Sequence, residues 1–183
     1  NIRHVSELVS RAGDTGANFI GLPEVVNVME TDRKALASKA TLEGGDPMLA
    51  NICNLAEEIG VWVLVGSIVV KHESSLDENG RPKFANRSIL IDDQGLVKAR
   101  YDKIHMFVVS IDSSDIYRQS KAYEPGDQAK LTETPWGMVG MTICYDLRFP
   151  YLFRDLAKSG AEIFSIPAAF TRPTGMAHWH TLM

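Results

Sequence analysis

Residues 136–150 read WGMVGMTICYDLRFP. Pro135, Trp136 and Gly137 make a turn, residues 138–143 form a short apolar strand, Cys144 stands at its end, and the chain then reads as a helix. The pattern of strand, polar exit and helix points to a layered α/β fold. It also puts a thiol where a strand opens toward solvent. The first free amides of a helix starting there would point at the sulfur, and their partial positive charge favours thiolate over a thiol of ordinary pKa about 8.5. A lone cysteine is more often an inert buried residue. The nucleophile reading therefore depends on what other strand ends bring.

Two of them bring charge. After an amphipathic opening helix (Ile2, Val5, Leu8, Val9, Ala12), residues 17–22 read as a buried strand that exits at Pro23-Glu24. Strands over residues 88–91 and 96–100 are joined by the hairpin signal Asp92-Asp93-Gln94-Gly95 and exit at Tyr101-Asp102-Lys103. Each alone has an ordinary reading, a solvated carboxylate or an edge lysine. In open α/β folds, however, ligands bind outside the carboxyl ends of the strands. Glu24, Lys103 and Cys144 all occupy such ends.

The remaining pattern fits alternating strands and helices. A polar helix is expected over residues 31–42, and Asp46-Pro47 caps another whose apolar face is Leu49, Ile52, Cys53, Ala56 and Ile59, with Cys53 a core residue. Residues 61–70 read as a strand buried on both faces, and 71–83, with Asn79-Gly80 and Pro82, as a charged turn or hairpin connection. Residues 104–128 show no clean period, and a segment of that length is expected to be a lid. A helix over 151–159, a strand over 162–167, a loop over 168–175 and a last helix from Met176 complete the chain.

With 183 residues, 45% of them hydrophobic, one α/β domain over residues 1–183 is the expectation. A net charge of -4 without basic runs argues against nucleic acid or an anionic membrane as partner. Two cysteines, Cys53 and Cys144, make no disulfide framework and point to a reducing, cytoplasmic setting. The apolar run 61–70 falls short of the roughly 18 residues of a membrane span. His178 and His180 are two apart, which on a helix sends them to different faces, so no metal site is expected.

If the three groups converge, the Glu24 carboxylate can take the thiol proton and Lys103 can stabilise the oxyanion formed on attack, with the Tyr145 amide as second donor. Protonated Glu24 can then expel an amine and later activate water. Such a site cleaves a carbon-nitrogen bond with neither metal nor organic cofactor. The segments Gly21-Leu22-Pro23-Glu24, Tyr101-Asp102-Lys103-Ile104-His105 and Thr142-Ile143-Cys144-Tyr145-Asp146-Leu147-Arg148-Phe149-Pro150 resemble, in order, the three signature regions of the nitrilase superfamily of carbon-nitrogen hydrolases. The resemblance implies a four-layer αββα sandwich, a Glu24-Lys103-Cys144 triad, a thioester intermediate, and a homodimer or higher homo-oligomer.

Residues 167–171 (PAAFT) and 173–179 (PTGMAHW) look like the Nit branch, which includes deaminated-glutathione amidase and ω-amidase. That implies a small ω-amide as substrate. An N-carbamoyl amidohydrolase, a nitrilase and a catalytically weak binding homologue stand as alternatives. Arg148 is either the partner of a substrate carboxylate or a structural surface charge, and Phe170 is expected to line the pocket. Where the family usually has Arg-Glu-Ser, this chain has Arg118-Gln119-Ser120, so Gln119 keeps the hydrogen-bonding reach of that substrate-side position and loses its charge. Relative to the family pattern, a first strand before Asn1 and everything after Met183 are absent, and the sandwich is expected to be incomplete at both ends. A dyad of Cys144 with His105 or His178 is the rival arrangement.

Overall fold

The computed structural model describes residues 1–112, 115–118 and 122–183. In chain order the elements are α1 (Ile2–Asp14), β1 (Phe19–Gly21), α2 (Arg33–Lys39), a 3₁₀ turn (Glu43–Gly45), α3 (Pro47–Ile59), β2 (Trp62–Leu76), β3 (Pro82–Ile91) and β4 (Val97–Asp102). There follow β5 (Val108–Asp112), β6 (Asp115–Arg118), β7 (Lys130–Thr134), β8 (Gly137–Met141), a second 3₁₀ turn (Cys144–Arg148), α4 (Pro150–Lys158), β9 (Ile163–Ser165) and α5 (Arg172–Leu182).

The first sheet runs β1-β2-β3-β4, with β1 parallel to β2 and the other pairs antiparallel. A second runs β7-β8-β9, with β8 and β9 parallel. Side-chain alternation along β2 gives each face of the first sheet its own partner. Val63 and Val65 point to α1 and α3, packing with Val5, Val9, Met48, Leu49, Ile52 and Ala56. Leu64 points the other way and joins Leu90, Ala99 and Tyr101 against Val139 and Met141 of the second sheet and Ile143 just beyond it. On the far side of that sheet, α4 buries Leu152 and Leu156. The layers are helix, sheet, sheet, helix, the αββα sandwich.

Local chemistry sets the ends of α3. The Asp46 carboxylate accepts the Leu49 amide at 2.9 Å, and Gly60 closes the helix at φ 65°. A helix of this length is marginal alone, whereas each fully buried Leu, Ile or Met contributes about 1.5–3 kcal/mol. Met48, Leu49 and Ile52 therefore hold α3 in place through packing.

A single-residue bulge in β2 links this framework to the chemistry. Pairing passes from Val65 opposite Ile89 to Ile68 opposite Arg87, three residues forward on one strand against two back on the other. The extra residue reverses the alternation, so Ile68 and Val70 rejoin Val63 and Val65 on the helix-facing side. It also frees Ser67 to hold the chain leaving β1. The Ser67 amide donates to the Pro23 carbonyl at 3.2 Å, and the amide of Val26 returns to the Ser67 carbonyl at 2.9 Å. Gly66 lies where a Cβ would run into the carbonyl oxygens of Leu22 and Pro23. Gly66→Ala is expected to cost about 2–4 kcal/mol, since the obstacle is backbone that cannot rotate away. Urea unfolding followed by circular dichroism checks this, and a loss below about 0.5 kcal/mol would overturn the close-approach account.

The structure departs from the sequence reading in four places. Strand β2 continues through the charged residues to Leu76, so β2 and β3 form one long hairpin with Asp77–Arg81 as its turn. The segment expected to be an aperiodic lid contains the antiparallel hairpin β5-β6, whose main chain pairs Val108 with Arg118 and Ser110 with Ile116. The helix expected directly after Cys144 is a 3₁₀ turn of five residues, and the α-helix waits for Pro150. Helix α5 starts at Arg172, ahead of Met176, because Thr171 caps it and a proline fits its first turn.

Candidate active site

Each of the three strand-exit residues is fixed by the main chain around it. Glu24 follows β1, and the Ser67 hydroxyl accepts the amide of Val25 at 2.8 Å, holding Val25 at φ 58°. Lys103 follows β4. Its amide donates to the Asn86 carbonyl at 2.9 Å, and its own carbonyl accepts the Gly126 amide at 2.9 Å. The preceding residue, Asp102, takes a bidentate pair from Arg87 at 2.7 and 2.8 Å, and Arg87 also reaches Glu43 at 2.7 Å. Cys144 follows β8, its amide donating to the Pro167 carbonyl at 2.9 Å while its φ of 50° turns the chain sharply. A left-handed conformation at a residue with a Cβ costs roughly 1–2 kcal/mol and survives only where surroundings enforce it.

The side chains meet. Lys103 Nζ lies 2.9 Å from Glu24 Oε1, and both residues are buried, at 1% and 5% exposure. Asn86 Nδ2 donates to the same oxygen at 3.0 Å, and the Ala169 amide donates to Glu24 Oε2 at 2.8 Å. The Cys144 thiol lies within the electrostatic reach of both the Glu24 carboxylate and Lys103. One carboxylate thus holds an ammonium, a side-chain amide and a main-chain amide, with the thiol in its field.

The thiol is not the poised thiolate that a helix start would favour. Burial, followed by the negative charge of Glu24, pushes it up to about 12, and the opposing pull of Lys103 and of the Ala169 amide is smaller. A five-residue 3₁₀ turn supplies little dipole against that desolvation. The resting thiol is therefore S–H, and any attack by it would require it to surrender its proton. Below its pKa the thiolate fraction rises about tenfold per pH unit. Iodoacetamide alkylation of Cys144, followed by peptide mass spectrometry, should accordingly climb across that range. A plateau below about pH 9.5 would overturn the assignment.

Tyr145 stands in the first turn of the 3₁₀ segment, where main-chain amides have no partner within the turn. Its ring lies edge-on to Phe107 and Phe149, with centroids 5.3 and 5.5 Å apart. The Arg148 guanidinium sits 5.9 Å from the Tyr145 ring centre and 5.8 Å from that of Phe170, and Nη2 donates to His178 Nδ1 at 2.9 Å. Phe170 meets Trp179 edge-on and forms part of the wall of a cavity of about 390 Å³ with Ala168, Gly175, Met176, Trp179 and His180. The three strand-exit residues do not line that cavity. Gln119 lies outside the described residues.

The histidines are engaged elsewhere: His105 Nδ1 is 2.7 Å from Asp146, and His178 is the partner of Arg148. Sequence reasoning missed Asn86, Ala169 and Asp146. Asn86 is fully buried, but in the sequence it opens the polar run Asn86-Arg87-Ser88 and the expected strand began two residues later. Ala169 acts through its main chain and leaves no trace in residue type.

The carbon-nitrogen hydrolase family matches residues 1–183. Deaminated glutathione amidase of Yersinia enterocolitica is 48% identical over 138 residues, covering 75% of this chain and 46% of that protein. Deaminated glutathione amidase of Mus musculus is 36% identical over 185 residues, covering 100% and 56%. The crystal structure of the C. elegans NitFhit protein superposes with a TM-score of 0.85 at 28% identity, covering 98% of this chain and 42% of that one. The chain spans about half the length of these curated relatives. With the match running from end to end over an αββα sandwich, the chain belongs to the carbon-nitrogen hydrolase family.

Proposed function

We propose that this chain carries a cysteine amidase site that hydrolyses the carbon-nitrogen bond of a small ω-amide, of the kind presented by deaminated glutathione, through a thioester. The observation that carries the reading is the shared Glu24 carboxylate, bonded at once to Lys103, Asn86 and the Ala169 amide, with the Cys144 thiol in its field. Relatives named for deaminated glutathione support the substrate class.

Glu24 takes the thiol proton as Sγ forms its bond to the amide carbon. The resulting oxyanion is met by Lys103 Nζ and the Tyr145 amide, donors already in place before charge develops. Glu24 then returns the proton to the leaving nitrogen, the carbon-nitrogen bond breaks, and ammonia or an amine departs. Water, deprotonated by Glu24, attacks the thioester and releases the carboxylic acid and the thiol. Arg148, held between two rings and His178, binds a carboxylate at the far end of the substrate, and Phe170 packs against its chain. Gln119 is assigned to the substrate as a neutral hydrogen-bonding group on the family resemblance alone. A homo-oligomer in a cytoplasmic setting belongs to the same reading.

The test is intact-protein mass after mixing the chain with a panel of ω-amides, together with an ammonia assay. The expected result is an acyl adduct on Cys144 and ammonia in step with it. Neither adduct nor ammonia from any member of the panel overturns the reading.

A further inference from the structure

Asp146 is fully buried yet ionisable, and nothing in the proposed chemistry uses it. Its four hydrogen bonds have a common feature. Oδ2 accepts the Ile143 amide at 2.8 Å and the Tyr101 hydroxyl at 2.7 Å. Oδ1 accepts the His105 amide at 3.1 Å and His105 Nδ1 at 2.7 Å. Because a carboxylate only accepts, Nδ1 must carry the hydrogen. Ile143 immediately precedes Cys144, while Tyr101 and His105 flank Lys103 by two residues on each side. One carboxylate therefore brackets both the sulfur and the ammonium, across a sequence separation of about forty residues. The His105 ring is also stacked on Phe149, centroids 3.6 Å apart and planes within 9°, so the residue leading into α4 is tied to the same point.

We propose that Asp146, acting with His105, is a positioning residue that locks the left-handed turn at Cys144 to the strand end carrying Lys103. A turn with a residue at φ 50° relaxes unless held. Relaxation would carry the sulfur away from Glu24 and toward solvent. Charge-assisted bonds from two flanks hold the turn more firmly than packing alone, and a buried carboxylate stripped of matched donors would be costly enough to keep the arrangement intact.

Position and general stability are separable here because Cys53 provides an internal reference in α3. In Asp146→Asn the amide nitrogen confronts a donor, and the turn loosens. Its kcat is expected to fall about 100-fold with KM within about twofold, as for a nucleophile displaced by about an ångström. At the same time Cys144, losing the burial that keeps it protonated, should be alkylated about tenfold faster near neutral pH, with the rate at Cys53 unchanged. His105→Phe keeps the stacking and loses the donor, and His105→Asn restores a donor at the position of Nδ1. The asparagine variant should recover most of what the phenylalanine variant loses. A parallel rise at both cysteines, an unchanged Cys144 rate, or equal losses in the two His105 variants overturns the proposal. The kinetic arm rests on the amidase reading and the alkylation arm does not. A wild-type chain without turnover would count against that reading while the alkylation comparison still decides this one.

Discussion

Cys144→Ala is expected to abolish acyl adduct formation and to lower ammonia release by about 10⁴-fold or more, to the rate of the uncatalysed reaction. The size follows from the proposed mechanism: with no sulfur there would be no thioester, and Glu24, Lys103 and the Tyr145 amide would be left without a nucleophile. The fold should survive, because the turn is held by the Cys144 main chain and by Asp146 rather than by the thiol. Thermal unfolding monitored beside the ammonia assay separates the two effects. Ammonia release at the wild-type rate from a folded Cys144→Ala would move the chemistry elsewhere in the molecule. Cys144→Ser is a sharper version, since its geometry is conserved and only the nucleophile's softness and acidity change. A thiol pushed up to about 12 already depends on Glu24 for deprotonation, and a hydroxyl depends on it further. The serine variant should therefore fall close to the alanine one.

Lys103→Met has the second-largest expected effect, and it acts on stability as well as rate. The ammonium and the Glu24 carboxylate are buried together at 2.9 Å, so removing one leaves the other uncompensated at a cost of about 3–5 kcal/mol. Asn86 and the Ala169 amide still bond Glu24, which places the loss toward the lower end of that range. Removing a preorganised oxyanion donor should lower kcat by a further factor of about 10²–10³. The double variant Glu24→Gln with Lys103→Met removes both charges, and its stability loss should be smaller than the sum of the two single losses. Urea titration of the four proteins measures that coupling, and additive losses would show that the pair is not a buried unit.

Much of the framework was legible because it depends on neighbours close in sequence. Asp46-Pro47 marked the start of α3, the apolar run over residues 61–70 marked a strand buried on both faces, and Asp92-Asp93-Gln94-Gly95 marked the β3-β4 turn. Glu24, Lys103 and Cys144 were recognisable as three strand exits in the order of a known signature. Strand β2 was cut short because residues 71–75 are charged or polar, and a hairpin running out into solvent needs no apolar face. The start of α5 was missed because a proline two residues past a threonine serves equally as loop punctuation and as the first turn of a helix.

By itself, then, the sequence determined most of the helices and strands outside residues 104–128 and which polar residues stand at their ends, since capping, turn chemistry and apolar patterning act over a few residues. Tertiary structure alone decided the bulge that restores the alternation of β2, the meeting of Asn86 and the Ala169 amide on Glu24, and the enclosure of Asp146. It also decided the protonation of the thiol, where the sequence pointed the other way. A helix start is a local feature that favours thiolate, but desolvation and a neighbouring carboxylate depend on what folds over the sulfur from residues far away in the chain, and at Cys144 those outweigh it.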